Sequence, residues 1–218
     1  TTFSYEQKIN ESSTLDGSVY YSYMDRLSRR SGQFSDPVAE PTTAAIDQQE
    51  FANYGFDLRY ALSWGNNNVL TVGSTAYVGD SPRTRHVTDD IRSNSQNSND
   101  LAFEQDRVMN YNAVFIENLF SFGKLSVVPT VRFERVNYDL EELVKNASLN
   151  RNAINIDRSF NETLFGLGFS YQISDQSELY ANVSESYRPQ RFDDLINPAS
   201  ELTGDNGPGV SRAVNYEV

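Results

Sequence analysis

Apolar and polar side chains alternate along most of this chain with a period of two. In 51–64, FANYGFDLRYALSW, the even positions Ala52, Tyr54, Phe56, Leu58, Tyr60, Leu62 and Trp64 are apolar or aromatic. The odd positions Asn53, Gly55, Asp57, Arg59 and Ser63 are mostly polar or small. A strand sends successive side chains to opposite faces, whereas a helix would mix these two sets. The same sorting sets Thr163, Phe165, Leu167, Phe169, Tyr171 and Ile173 against Glu162, Gly166, Gly168, Ser170 and Gln172. It sets Leu125, Val127, Val131 and Phe133 against Lys124, Ser126, Thr130, Arg132 and Glu134. Segment 178–187 and the shorter runs 2–9, 17–26 and 69–78 behave alike, and 104–120 is strand-like with its parity muddied by Glu117 and Val114-Phe115-Ile116. The pattern predicts eight strands and the start of a ninth over Val214–Val218.

Short and long connections take turns between these strands. Asn10–Asp16, Gly65–Asn68, Ser121–Gly123 and Ser174–Ser177 are short and turn-like, while 27–50, 79–103, 139–158 and 187–213 are long and polar. Four long structureless loops are foreign to a compact soluble domain. They fit an antiparallel transmembrane β-barrel, with short turns on the periplasmic side and long loops outside. The strands are long enough for the roughly 9–11 tilted residues a crossing takes. Backbone polar groups in lipid must all be paired, so such a sheet has to close. One face of each strand then meets lipid, and the other, carrying Asp57, Arg59, Arg132 and Glu134, meets the lumen. Tyr60, Trp64, Phe120, Phe122 and Tyr171 lie toward the turn ends, where an interfacial aromatic girdle would sit. A soluble β-sandwich explains the alternation but not the rhythm of connections. Pro129 is awkward in either fold, because strand proline is normally confined to edges and bulges.

Composition narrows the chemistry. Hydrophobics are 38% and aromatics 12% of 218 residues, and the mean hydropathy of −0.56 excludes a helical membrane protein. A net charge of −12 argues against nucleic acid as a partner. With no cysteine there is no disulfide frame or thiolate site, and the single histidine, His86, leaves little for zinc or haem. The chain opens at Thr1 in strand-like sequence and stops at Val218 inside another strand, so it reads as a partial barrel domain over 1–218.

Three segments resemble the TonB-dependent outer-membrane receptors, most closely the ferric-dicitrate-type siderophore receptors. Ala113-Val-Phe-Ile-Glu-Asn-Leu-Phe120, followed by Gly123–Glu134, resembles the family hairpin "FxEN…(L)xxxPGxRxE", with Pro129 as a family feature and Thr130 in place of the usual Gly. Leu179–Pro189, LYANVSESYRP, resembles "LYxNxSxxFRP", and Arg212–Val218 resembles the "NYE(L/V)G" opening of a further strand. The resemblance implies a barrel of 22 strands around an N-terminal plug, energised by TonB, of which this chain holds less than half. It implies uptake of a ferric siderophore, with ferric dicitrate suggested, in a Gram-negative-type outer membrane. The alternative is a small self-contained barrel, passive or structural, whose eight strands close without a plug.

Ferric siderophore complexes are usually anionic, and capture calls for cations at the outer mouth. Fifteen Arg stand against three Lys, and the planar guanidinium fork suits carboxylates. The candidate ligand contacts are Arg83, Arg85, Arg151 and Gln190, all placed in long connections, with Asp80, Asp89 and Asp90 near enough in sequence to pair with the arginines. Asp57, Arg59, Arg132 and Glu134 are candidate lumen-lining residues, either along a transport path or in a cross-strand ladder that stiffens the wall. His86 with Asp89 and Asp90 lacks a placed nucleophile or oxyanion donor, so the chain is not read as an enzyme. Asp89-Asp90 or Asp193-Asp194 could ligate calcium, but a solvated acidic loop is the simpler reading; no metal and no cofactor are expected. The sequons at Asn146 and Asn161 are read as chance.

Overall fold

The computed structural model describes residues 1–31, 43–92, 94, 96, 100–196 and 210–218. Much of two long connections, 32–42 and 197–209, lies outside the described residues. Among the described residues there are ten strands: β1 (Thr2–Asn10), β2 (Ser13–Ser31), β3 (Ala44–Trp64), β4 (Asn68–Asp80), β5 (Arg83–Thr88), β6 (Leu101–Phe122), β7 (Leu125–Val144), β8 (Asn155–Ser174), β9 (Ser177–Arg188) and β10 (Ser211–Glu217). Among the described residues there is also one short α-helix, α1 (Phe192–Leu195).

All pairings are antiparallel and nearly all join neighbours in sequence, in the order β1-β2-β3-β4-β6-β7-β8-β9-β10. β5 continues the line of β4 after a break at Ser81-Pro82, since β3 and β6 pair with both. Counting β4 and β5 as one, the wall is nine strands wide. Among the described residues β1 pairs with β2 and β10 with β9, so the sheet does not close on itself as a small barrel would.

The tight turns follow the expected chemistry. Gly65 (φ 56°), Asn67 (φ 61°) and Gly123 (φ 67°) take the left-handed conformation that glycine and asparagine tolerate. Pro129 lies within β7, not at an edge. The register is unbroken around it, from Glu117 opposite Thr130 to Phe120 opposite Val127, and it faces Leu167 on β8. Only the rungs opposite Asn118 and Leu119 are missing, which is what a residue without an N–H requires.

The strands run far beyond their predicted limits. β3, β6, β7 and β8 have 21, 22, 20 and 20 residues, about twice what a crossing needs. The outer face shows where the membrane stops. One row across the sheet reads Leu15, Tyr60, Val72, Ile116, Val131, Phe165, apolar throughout. Farther from the turns the aligned row on β6–β8 reads Asn112, Arg135, Asn161, and the next reads Asn110, Asn137, Ser159. The apolar band thus covers 113–122 and 125–134, matching the length of a crossing.

Beyond that band the phase of the alternation reverses. Val136, Tyr138, Leu140 and Ile156 occupy the inner face and form a buried cluster with Leu195 and Ile196. The outer face there carries Asp106, Asp139, Glu141 and Asp157, all exposed. Water replaces lipid outside, and the inner face acquires a cover from residues 189–196.

Phe165, 60% exposed at the β8 end of the outer apolar row, gives a direct test of this assignment. Phe165→Asp is expected to cost on the order of 2–3 kcal/mol, from a charge placed in lipid and lost apolar burial. The fraction of heat-modifiable, membrane-assembled full-length protein should fall accordingly; unimpaired assembly would contradict a lipid-facing Phe165.

Candidate ligand-binding wall

The inner face has two polar layers. The lower one lies within the apolar band. Asp57, Thr75, Ala113 and Glu134 form one cross-strand row, and Arg59, Gly73, Phe115 and Arg132 form the next. Asp57 Oδ1 accepts a 2.7 Å bond from Thr75 Oγ1. Arg132 donates to Glu134 and, at 2.8 Å, to the Tyr111 hydroxyl. Arg59 and Arg132 flank the Phe115 ring, each 5.8 Å from its centroid. Phe115 fits because its cross-strand neighbour is glycine: a Cβ on Gly73 would lie 2.2 Å from the ring. Above this belt a cleft of about 570 Å³ is lined by Tyr20, Tyr77, Tyr111, Glu134 and Tyr187 among others.

The upper layer lies beyond the band and is a continuous network of ions and hydrogen bonds. Arg83 and Arg85 stand on β5, a strand, and not in a loop as their sequence context suggested. β5 forms because Pro82 ends β4 while the paired edges of β3 and β6 remain available to extend the ladder. Arg85 donates to both oxygens of Asp47 on β3, at 2.7 and 2.8 Å. Arg30 reaches the same carboxylate at 3.1 Å and Arg83 at 3.6 Å. Arg83 also donates to Asp193 at 3.2 Å. The fully buried Phe103 ring lies 5.4 Å from the Arg83 guanidinium and 5.0 Å from that of Arg85. Asp47 and Asp193 therefore fill the role that sequence proximity gave to Asp80, Asp89 and Asp90.

From Asp193 the network continues to Arg107 on β6 at 3.0 Å, and Arg107 donates twice to Gln105 Oε1 at 3.1 and 2.6 Å. Gln105 donates to Glu142 on β7 at 3.3 Å. Glu142 also takes two bonds from Arg151 and one from the Ile154 N–H, which ties the 145–154 connection to the wall. Gln190 is buried, and its main-chain carbonyl accepts a 2.7 Å bond from the Tyr138 hydroxyl. The structure thus gathers Arg83, Arg85 and Arg151 into one network, with Gln190 on the segment that covers it.

Burial alone would raise the carboxyl pKa of Asp47. The hydrogen bond and charge of Arg85, with Arg83 and Arg30, outweigh it and hold the group below the ordinary range. Glu142 is held low in the same way, with burial opposed mainly by Arg151 and the Ile154 N–H. His86 lies buried on β5 opposite Ile46. Asp90 accepts from the Arg92 N–H at 2.8 Å. Among the described residues no group of three or more His, Cys, Asp or Glu is arranged to hold a metal ion.

Asp47, Phe103, Gln105, Arg107 and Glu142 belong to this network and were not singled out in the sequence. Their signal was a run of inward-parity charges on strands that outlast the membrane, visible only once the strand lengths are known.

The whole chain, residues 1–218, matches the family model described as TonB dependent receptor-like, beta-barrel. The chain belongs to this family of TonB-dependent receptors. It forms wall of a receptor barrel in a Gram-negative outer membrane, with its tight turns at the periplasmic end and its long end outside. Among solved structures it is similar to the ferric citrate transporter FecA in the unliganded form, at 15% identity and a TM-score of 0.68, covering 85% of this chain and 26% of that one. The copper transporter OprC aligns at 14% identity and a TM-score of 0.74, over 98% of this chain and 34% of that one. The closed form of the ferric-catecholate import receptor Fiu from E. coli K12 aligns at 12% identity and a TM-score of 0.59, over 99% and 37%. No curated protein matches the chain. The receptor segment spans between 26% and 37% of the length of these three structures, and the likeness is one of fold.

Proposed function

We propose that this wall belongs to a transporter, not an enzyme, that captures an anionic ferric siderophore complex at its extracellular mouth. Ferric dicitrate is the ligand best suited to it. The observation that carries the reading is the charge of the upper inner-face network, in which, among the described residues, Arg30, Arg83, Arg85, Arg107 and Arg151 form ion pairs with Asp47, Glu142 and Asp193. Among the described residues of these ion pairs guanidinium groups outnumber carboxylates, although the chain as a whole carries −12. Arginine forks bind carboxylates in two-point fashion, and partial burial strengthens each contact. Arg83, Arg85, Arg151 and Gln190 are the proposed ligand contacts. Asp57, Arg59, Arg132 and Glu134 line the route below. Energy would come from TonB acting on an N-terminal region of the parent outside this chain.

In the full-length receptor, Arg83→Ala with Arg85→Ala is expected to weaken ferric dicitrate binding at least about tenfold, for the loss of two charge-assisted contacts. Titration calorimetry reads this directly. Unchanged affinity would remove both residues from the site.

A further inference from the structure

Residues 189–196 fold onto the inner face. Leu195 and Ile196, 0% and 1% exposed, pack on Val136, Tyr138, Leu140 and Ile156. From this segment one carboxylate reaches two guanidinium groups: Asp193 Oδ1 accepts from Arg107 Nη2 at 3.0 Å and from Arg83 Nη1 at 3.2 Å. The partners are unequal in environment. The Arg107 side chain is 2% exposed and that of Asp193 is 58% exposed. Besides Asp193, Arg107 has the neutral Gln105 Oε1 for its hydrogen bonds, and the Phe192 ring lies 5.7 Å from its guanidinium. A buried guanidinium needs an anion, since an uncompensated charge there is costly. A half-solvated aspartate leaving for water loses far less.

We propose that Arg83, Gln105 and Arg107 form an oxyanion site which Asp193 fills at rest, and that an incoming carboxylate exchanges with Asp193 and lifts residues 189–196 off the inner face. The exchange leaves Arg107 paired throughout, so no bare buried charge is created on the way. A neutral ligand cannot make the swap. Because Phe192 and Asp193 together cover Arg107, occupancy and release of the segment are one event. The choice of carboxylates as ligand class rests on the reading under Proposed function; the site itself rests on the geometry of these residues.

Hydrogen exchange on the full-length receptor in detergent tests this, with sodium citrate as probe and sodium chloride at matched ionic strength as control. The reporters are the amides of Leu195 and Ile196, which bond to the Arg191 and Phe192 carbonyls. Citrate should speed their exchange about tenfold at saturation, and chloride should not. Asp193→Asn, at an exposed site, should exchange fast without citrate, and calorimetry should show it binding citrate about tenfold tighter than the parent. Exchange indifferent to citrate in the parent, or slow exchange in Asp193→Asn, would overturn the proposal. Citrate-driven release in a receptor that binds no ferric dicitrate would support the exchange and remove only the ferric ligand.

Discussion

Asp47→Ala should destabilise the extracellular half of the wall by about 3 kcal/mol, the cost of leaving buried charge without its partner. Asp47 is 3% exposed and holds Arg85, Arg83 and Arg30 together, and the side chains of Arg83 and Arg85 are themselves only 11% and 19% exposed. Without the carboxylate, like charges face one another around Phe103. The expected readout in the full-length receptor is faster hydrogen exchange in 44–49 and 83–88, with the membrane-embedded rungs unaffected. Replacing Asp47 and Arg85 together by Leu and Met should recover much of the loss, because an apolar pair of similar volume avoids the desolvation cost altogether. A double variant as labile as Asp47→Ala would contradict this account.

The same groups set a pH response. Asp47 and Glu142 both have carboxyl pKa values held below their ordinary range in the folded chain. Their stabilisation is therefore fully present above the unfolded carboxylate pKa, about 4, and is lost as pH falls through the lower folded values. Protection factors in 44–49 and 83–88, which correct for the slower intrinsic exchange in acid, should fall on acidification in the parent and much less in Asp47→Ala.

Gly55→Ala is the second large effect, expected to cost about 3 kcal/mol, at the upper end for overpacking, and to reduce assembled receptor sharply. A Cβ there would lie 2.5 Å from the Ala76 carbonyl oxygen, 2.6 Å from Tyr77 Cβ and 2.7 Å from the Tyr20 hydroxyl. Backbone and Cβ cannot swing aside as a side-chain tip can, so the β3–β4 ladder itself must move. Gly168→Ala, on the same face of the sheet, is the control: its Cβ meets Val128 Cβ at an ordinary 3.7 Å and should be tolerated. Equal heat-modifiable yields for the two variants would show that Gly55 is not sterically required.

These two glycines look alike in the sequence, and the difference between them is cross-strand. Gly55 lies between Tyr20 and Tyr77 by register, whereas Gly168 lies between Val128 and Asn182. No local pattern carries that information.

By itself the sequence determined the strands within the apolar band, their tight turns, and which side of each is apolar. Lipid imposes a single rule, apolar outward, and a period of two records it residue by residue. It also determined the family, through the hairpin around Pro129 and the LYANVSESYRP segment, and the presence of Arg83, Arg85 and Arg151 among charges that needed partners. The tertiary structure decided what lies beyond the bilayer. There both faces can meet water, and Val136, Tyr138, Leu140 and Ile156 turn inward where residues 189–196 cover them. The alternation therefore changes phase near Arg135 and Val136 and resembles a loop. Long strands were hidden for that reason, and with them the partners of the arginines. Asp47 lies 38 residues from Arg85, and Asp193 lies 86 from Arg107 and 110 from Arg83. Pairing over such distances is fixed by strand register and by the packing of Leu195 and Ile196, and both exist only once the sheet has formed.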